Sequence, residues 1–205
     1  MARIDAKDMP YRALNEKIRA LAAEGEYEVV VDNVCGQKFI GDGLSAKMKI
    51  EVNGIPGNDL GIFMDGPDVV VHGNGQDGIG NTMNSGRIIV HGNAGDVIGY
   101  AMRGGKVFIE GDVGYRVGIH MKAYGDMVPA VVIGGTASDF LGEYMAGGVM
   151  VLLGIQKDGR ELTGDYVGSG MHGGVIYVRG DIDDHYLGRE VVGSEPDARD
   201  ISVIG

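Results

Sequence analysis

Aliphatic residues and glycines alternate along this chain with a long, regular beat. Ile40, Leu60, Ile79, Ile98, Val117, Leu141, Val167 and Leu187 each precede a glycine. Those glycines, Gly41, Gly61, Gly80, Gly99, Gly118, Gly142, Gly168 and Gly188, are separated by 20, 19, 19, 19, 24, 26 and 20 residues. Three residues beyond six of them stands a methionine (Met64, Met83, Met102, Met121, Met145, Met171), and Leu44 and Val191 take that place in the first and last copies. Each copy also holds a short β-rich run: Val69–Val71, Ile88–Val90, Val107–Ile109, Ala130–Ile133, Val149–Leu153 and Val175–Val178. Gly, Asn and Asp bound these runs, as they bound strands at corners.

A repeat of about nineteen residues cannot bury its own apolar face, but stacked copies can. The pattern therefore predicts an all-β protein, a single-stranded parallel β-helix of about eight coils. Strands about 4.8 Å apart would make the stack roughly 34 Å high. A corner with positive φ costs an ordinary residue about 1–2 kcal/mol and glycine much less, so the repeated glycine reads as a repeated corner. The apolar column three residues on reads as core.

Outside the repeat, Met1–Asp8 is polar and is expected to be loosely held. Pro10 opens an amphipathic helix with Leu14, Ile18 and Leu21 on one face and Gly25 as its stop. That helix is expected to cap the open end of the first coil, whose strand edge would otherwise invite another chain. The chain thus divides into an N-terminal segment and capping helix (1–27), a β-helix (28–192) and a C-terminal tail (193–205), with Glu28–Asp32 as the lead-in strand. The two longer intervals place loops at His120–Pro129 and Gly154–Gly164, and the tail is either a second cap or a partner-binding extension.

Composition narrows the function. The formal charge of −11, from 18 basic and 29 acidic residues, argues against nucleic acid or an anionic membrane as partner. No apolar run reaches a membrane span and no signal-peptide core is present, so a soluble, cytoplasmic protein is expected. The single cysteine, Cys35, allows no internal disulfide and cannot anchor an iron–sulfur cluster alone.

Candidate chemistry is sparse. Gly73/Gly75/Gly78 and Gly168/Gly170/Gly173 match G-x-G-x-x-G, yet neither leaves room for the helix that a pyrophosphate site needs. His72, His91 and Glu110 are nineteen residues apart and should form a vertical column at a strand end. Their groups could ligate a metal, but hydrogen bonding or solvation is the commoner fate of such a surface column, which has only three ligand-like groups. The methionines could favour Cu(I), though Leu44 and Val191 in the same column point to burial. A calcium-binding nonapeptide repeat is excluded by the period. No G-x-S-x-G elbow occurs. The aspartates, among them Asp96, Asp112, Asp126, Asp139, Asp165, Asp183 and Asp184, occupy turn positions without forming an evident acid/base pair. No catalytic, cofactor-binding or metal residue is assigned.

A finer motif, G-x-x-G-x-x-x-G, runs through Gly54/Gly57/Gly61, Gly92/Gly95/Gly99 and Gly111/Gly114/Gly118, with partial copies at Gly73/Gln76/Gly80, Gly135/Ser138/Gly142 and Glu161/Gly164/Gly168. With NGIPGNDLGIFMDG, HGNAGDVIGYAMRGG and EGDVGYRVGIHMK, it resembles the C-terminal GXGXG β-helical domain of the glutamate synthase large subunit over roughly Gly36–Gly188. The resemblance implies a right-handed, structural β-helix in its stand-alone form. Glutamine hydrolysis, and reduction on FMN and an iron–sulfur cluster, would then belong to partner subunits. The start Met1-Ala2 lacks the N-terminal catalytic cysteine of such glutaminases, and Cys35 is internal, so no catalytic residue carries over. The implied role is a non-catalytic scaffold in an oxidoreductase complex of glutamate biosynthesis and nitrogen metabolism, with glutaminase-type and FMN-domain chains as partners and homo-oligomerisation left open. Formylmethanofuran dehydrogenase contains a related β-helical subunit, which is the alternative reading. An independent carbohydrate-active β-helix is the third, against which the absence of tryptophan weighs.

Overall fold

The computed structural model describes residues 1–155, 157 and 159–204. Its frame is one parallel sheet of nine strands in sequence order: β1 (Ala2–Asp5), β2 (Glu28–Cys35), β3 (Lys49–Ile55), β4 (Asp65–His72), β5 (Ser85–Val90), β6 (Lys106–Ile109), β7 (Ala130–Ile133), β8 (Ala146–Leu152) and β9 (Gly173–Val178). From β3 to β9 the chain makes six turns, each strand bonded to the one before. The fold is a β-solenoid, as the repeat predicts, with Val90 paired to Ile109.

Alternation along each strand sends every second side chain inward. Two inner columns result. One runs Ile50, Val69, Ile88, Val107, Val131, Met150, Ile176, and the other Val52, Val71, Val90, Ile109, Ile133, Leu152, Val178. All but the last member of each column are at most 2% exposed, and each such burial contributes about 1.5–3 kcal/mol. β-branched residues dominate because they fill the pleated inner face with little rotamer entropy to lose. The methionine column closes the core opposite, with Met64, Met83, Met102, Met121 and Met145 fully buried.

The expected loops fall between strands without disturbing register. Residues 120–129 lie between β6 and β7, where Tyr124 and Met127 form a small antiparallel bridge. Lys106 still pairs with Ala130 beyond it. The Gly154–Gly164 loop lies between β8 and β9; Gln156 and Asp158 are outside the described residues.

At the N-terminus the structure corrects the expectation. Residues 2–5 are not loosely held but form β1, with Ile4 opposite Val31. Ile4 and Ala6 are buried, and Arg3 pairs with Asp32. Four residues are too few for a sequence pattern to reveal, yet pairing them satisfies the edge of β2. Helix α1 (Tyr11–Ala23) then buries Leu14 and Ile18. It ends at Gly25 (φ 83), where Gly25 N–H donates to Ala22 O at 3.1 Å and Glu26 N–H to Leu21 O at 3.0 Å, the pair of bonds that satisfies a helix C-terminus. Asn15 donates to Lys38 O at 2.9 Å and Arg19 meets Asp42 at 2.9 Å, so α1 lies against the first corner, as a cap would. The buried Gln37 amide binds Ala6 O and Met9 O at 2.9 and 3.1 Å, fastening β1 and the approach to α1 onto that corner.

The eighth copy is incomplete. Gly188 does not take the positive φ of its seven predecessors, and Leu187 contributes only an isolated bridge to Val167. Ile176 and Val178, inner residues of the last strand, are therefore only partly buried. The tail forms α2 (Ala198–Ile204), tied to β9 where the Tyr177 hydroxyl donates to Asp200 Oδ1 at 2.8 Å.

Candidate functional site

The corner built on the glycine column is the most elaborated part of the surface. It is more than a single glycine turn. The residues two before and two after each of the seven corner glycines from Gly41 to Gly168 also adopt positive φ: around Gly99 (φ 69) these are Val97 (φ 53) and Ala101 (φ 49), and around Gly118 (φ 73) Arg116 (φ 55) and His120 (φ 56). Backbone hydrogen bonds follow the alternation. Val97 N–H and Ala101 N–H donate forward to Tyr115 O and Ile119 O at 2.8 and 2.9 Å, while Gly99 N–H donates back to Ile79 O at 2.8 Å. The corner is thus hydrogen-bonded to both neighbouring coils.

Positive φ alone does not explain the glycines, because valine and arginine accept it two residues away. Burial does. A Cβ on Gly99 would point inward and lie 3.0 Å from Val131 Cγ2, and one on Gly118 would lie 2.1 Å from Met150 Cε. Most flanking side chains instead point toward solvent, Arg116, His120, Tyr144 and Tyr166 among them, while Thr82 is buried.

The first two glycines of the longer motif answer to a different constraint. Asn93 Oδ1 accepts the Asp112 N–H, and Asp96 Oδ1 accepts the Tyr115 N–H, both at 2.9 Å. Asn74, Asp77, Asp112 and Asp139 repeat the arrangement at 2.8–3.0 Å. A Cβ on Gly111 would come within 2.0 Å of Asn93 Oδ1, and one on Gly114 within 1.9 Å of Asp96 Oδ1. Glycine stands there to leave room for a carboxylate or amide from the preceding coil. Asp96, Asp112 and Asp139 are therefore engaged in holding coils together. Asp112 also meets Arg160 at 2.8 Å. Burial pushes its carboxyl up, but the Arg160 guanidinium and the Thr136 amide and hydroxyl together outweigh that and hold it below the usual range.

The other sequence-derived candidates are located as follows. The His72 and His91 rings stack at 5.6 Å, and His91 Nδ1 lies 3.0 Å from Glu110 Oε2. The column is real. It is also exposed, and no group of three or more His, Cys, Asp or Glu among the described residues could hold a metal ion. Both G-x-G-x-x-G stretches lead into the next coil and strand rather than into a helix. Asp126 is exposed in the first loop, and Asp183 accepts the His185 N–H at the head of a 3-10 turn, Asp184–Tyr186. Among the described residues no helix is long and apolar enough to cross a membrane.

The sequence reading missed the aromatic character of the corner. Of nine tyrosines and four phenylalanines, eight lie within three residues of a corner glycine. Arg116 sits 4.7 Å over the Phe140 ring, Phe140 stacks on Tyr166 at 5.0 Å, and Glu143 meets Arg116 at 3.0 Å. On the other flank Tyr100, His120 and Tyr144 succeed one another at 6.0 and 5.3 Å. Phe63, Tyr115, Tyr144 and Tyr166 remain about half exposed. The signal was available: Phe140, Tyr166 and Tyr186 each stand two residues before a corner glycine.

Two comparisons bear on kinship. The GXGXG motif family model matches residues 17–195. An uncharacterized protein of Methanocaldococcus jannaschii is 58% identical over 191 residues, which is 90% of this chain and 73% of that protein. The matched span takes in the corner glycines from Gly41 to Gly168, whose buried, left-handed geometry the coils require. The chain belongs to the GXGXG motif family.

Proposed function

We propose that this protein is the β-helical scaffold of a glutamate synthase-type complex, in which glutamine and 2-oxoglutarate become glutamate on other chains. The observation that carries the reading is the GXGXG match across 17–195, combined with what its residues do. The motif glycines and their Asn and Asp partners are spent on stacking coils, which is what a rigid spacer needs. Glutaminase and FMN-domain subunits would be held in fixed relation along the solenoid, so that ammonia released on one is consumed on the other. FMN and the iron–sulfur cluster are assigned to those partners, since a cluster takes four thiolates and this chain has Cys35 alone. The loops at 120–129 and 154–164 and the two ends supply contacts beyond those that the repeating coils offer.

A carbohydrate-active reading is less well supported. Hydrolysis of a sugar linkage needs a pair of carboxylates free to exchange protons, whereas Asp96, Asp112 and Asp139 are bonded to backbone N–H groups of the next coil. The test mixes this chain with candidate glutaminase and FMN-domain chains and follows glutamate formed from glutamine and 2-oxoglutarate. Coupled turnover that requires this chain is expected. Equal turnover without it refutes the scaffold role, and flavin absorbance in the purified chain refutes the assignment of FMN to partners.

A further inference from the structure

Among the described residues, two rings of the exposed aromatic corner are left out of the ladder, Phe63 and Tyr115, and only Tyr115 has an acid in the equivalent position of both neighbouring coils. Tyr115 is 48% exposed and makes no ring contact among the described residues. Three residues before successive corner glycines stand Asp77, Asp96, Tyr115, Asp139 and Asp165, so Tyr115 has a carboxylate about one strand spacing to either side. Asp77, Asp96 and Asp139 each give Oδ1 to a backbone N–H of the next coil. None of the four acids enters an ion pair among the described residues.

We propose that this stretch of the corner, centred on Tyr115, docks an arginine-bearing segment of a partner protein. The proposal rests on the scaffold role for the identity of that partner and adds the chemistry of the contact. Charge decides among occupants. A second copy presenting the same face would set acid against acid, on chains each carrying −11, and like charges juxtaposed at an interface are repulsive. A guanidinium suits the place better than an ammonium, because it can stack on a tyrosine face while its edge N–H groups reach flanking carboxylates. The neighbouring coils already show this chemistry within the chain, where Arg116 lies over Phe140 with Glu143 beside it. Tyrosine and arginine are also the residues that most often dominate protein contacts.

The probe is acetylated hexa-arginine, titrated into the intact protein and followed by amide NMR shifts, with hexa-lysine in parallel. Two variants remove the site, and a parallel thermal melt checks that the bonds between coils survive. Tyr115→Ala lies outside the left-handed positions. The pair Asp96→Asn and Asp139→Asn removes charge but keeps a side-chain oxygen for the ladder, as Asn93 does. Glu16→Gln with Glu24→Gln, both exposed, controls for net charge. Shifts centred on residues 96–139 are expected, with binding about five-fold weaker in each corner variant, and about three-fold weaker for hexa-lysine. The control pair should bind like the parent. Shifts spread over the sheet faces, or equal losses in the control and corner variants, overturn the site, as does unchanged binding in the corner variants. No partner chain enters this assay, so its failure removes the docking site while leaving the scaffold role to the turnover experiment.

Discussion

Gly99→Val separates the two reasons for a glycine at the corner. At φ 69 a side chain costs about 1–2 kcal/mol in backbone strain. Its Cβ would also stand 3.0 Å from Val131 Cγ2 and 3.7 Å from Met102 Sδ, before the two further methyl groups of valine are placed. Forcing them into a filled core adds about 1–3 kcal/mol. The combined loss of roughly 2–5 kcal/mol is a large part of the ~5–15 kcal/mol that holds a domain folded. At this chain length each kcal/mol moves Tm by about 2–4 °C, so a fall of roughly 5–20 °C is expected in a thermal melt followed by circular dichroism. Ala101→Val is the matched comparison: alanine there already bears a left-handed φ of 49 and is partly exposed. Val97 shows that a β-branched residue is accepted at such a flank, so Ala101→Val should cost less than about 1 kcal/mol. A Gly99→Val protein that melts with its parent, or an Ala101→Val protein that loses as much, refutes the buried-corner account.

Other consequences follow from the bonds between coils. Gly114→Ala, which would drive a Cβ against Asp96 Oδ1, should cost about 1–3 kcal/mol through loss of the Tyr115 N–H bond. Combined with Asp96→Ala it should cost less than the sum in urea unfolding, and strict additivity would show that the ladder bond is not what the glycine protects. Asp112 has a depressed carboxyl pKa, so its share of stability is present above the ordinary aspartate value of about 3.9 and is lost as pH falls through the folded value. Asp112→Asn should lower the unfolding free energy from urea melts slightly at neutral pH, by less than about 1 kcal/mol for a partly exposed pair. The acid limb should also become shallower, and parallel pH profiles for variant and parent would contradict this. Tyr177→Phe removes the bond to Asp200 and should speed amide exchange across residues 198–202 while leaving β5 and β6 protected. Unchanged exchange would mean that the bond does not hold the tail.

Most of the architecture was legible along the chain, because the period of a solenoid is written in every copy. The spacing of Gly41 to Gly168 located seven corners. The aliphatic and methionine columns located the core, and the 24- and 26-residue intervals located two loops. Helix α1 could be read from its own amphipathic face and its glycine stop. These are local properties: spacing, alternation and termination depend on residues close in sequence. What the sequence alone left open depends on residues a full coil apart. Gly111 and Gly114 look like further turn glycines, and only stacking shows that Asn93 and Asp96 of the previous coil fill the space a Cβ would take. Val97 and Arg116 give no hint of positive φ, since hydrogen bonds to the next coil hold them there. Four residues of β1 acquire a role only once β2 offers an edge. The stacked rings, too, are far apart in sequence, and Tyr100, His120 and Tyr144, like Phe140 and Tyr166, meet only when one coil lies over the last. The period determined where the chain turns; contacts between coils decided which residues could occupy those turns and which side chains were left exposed.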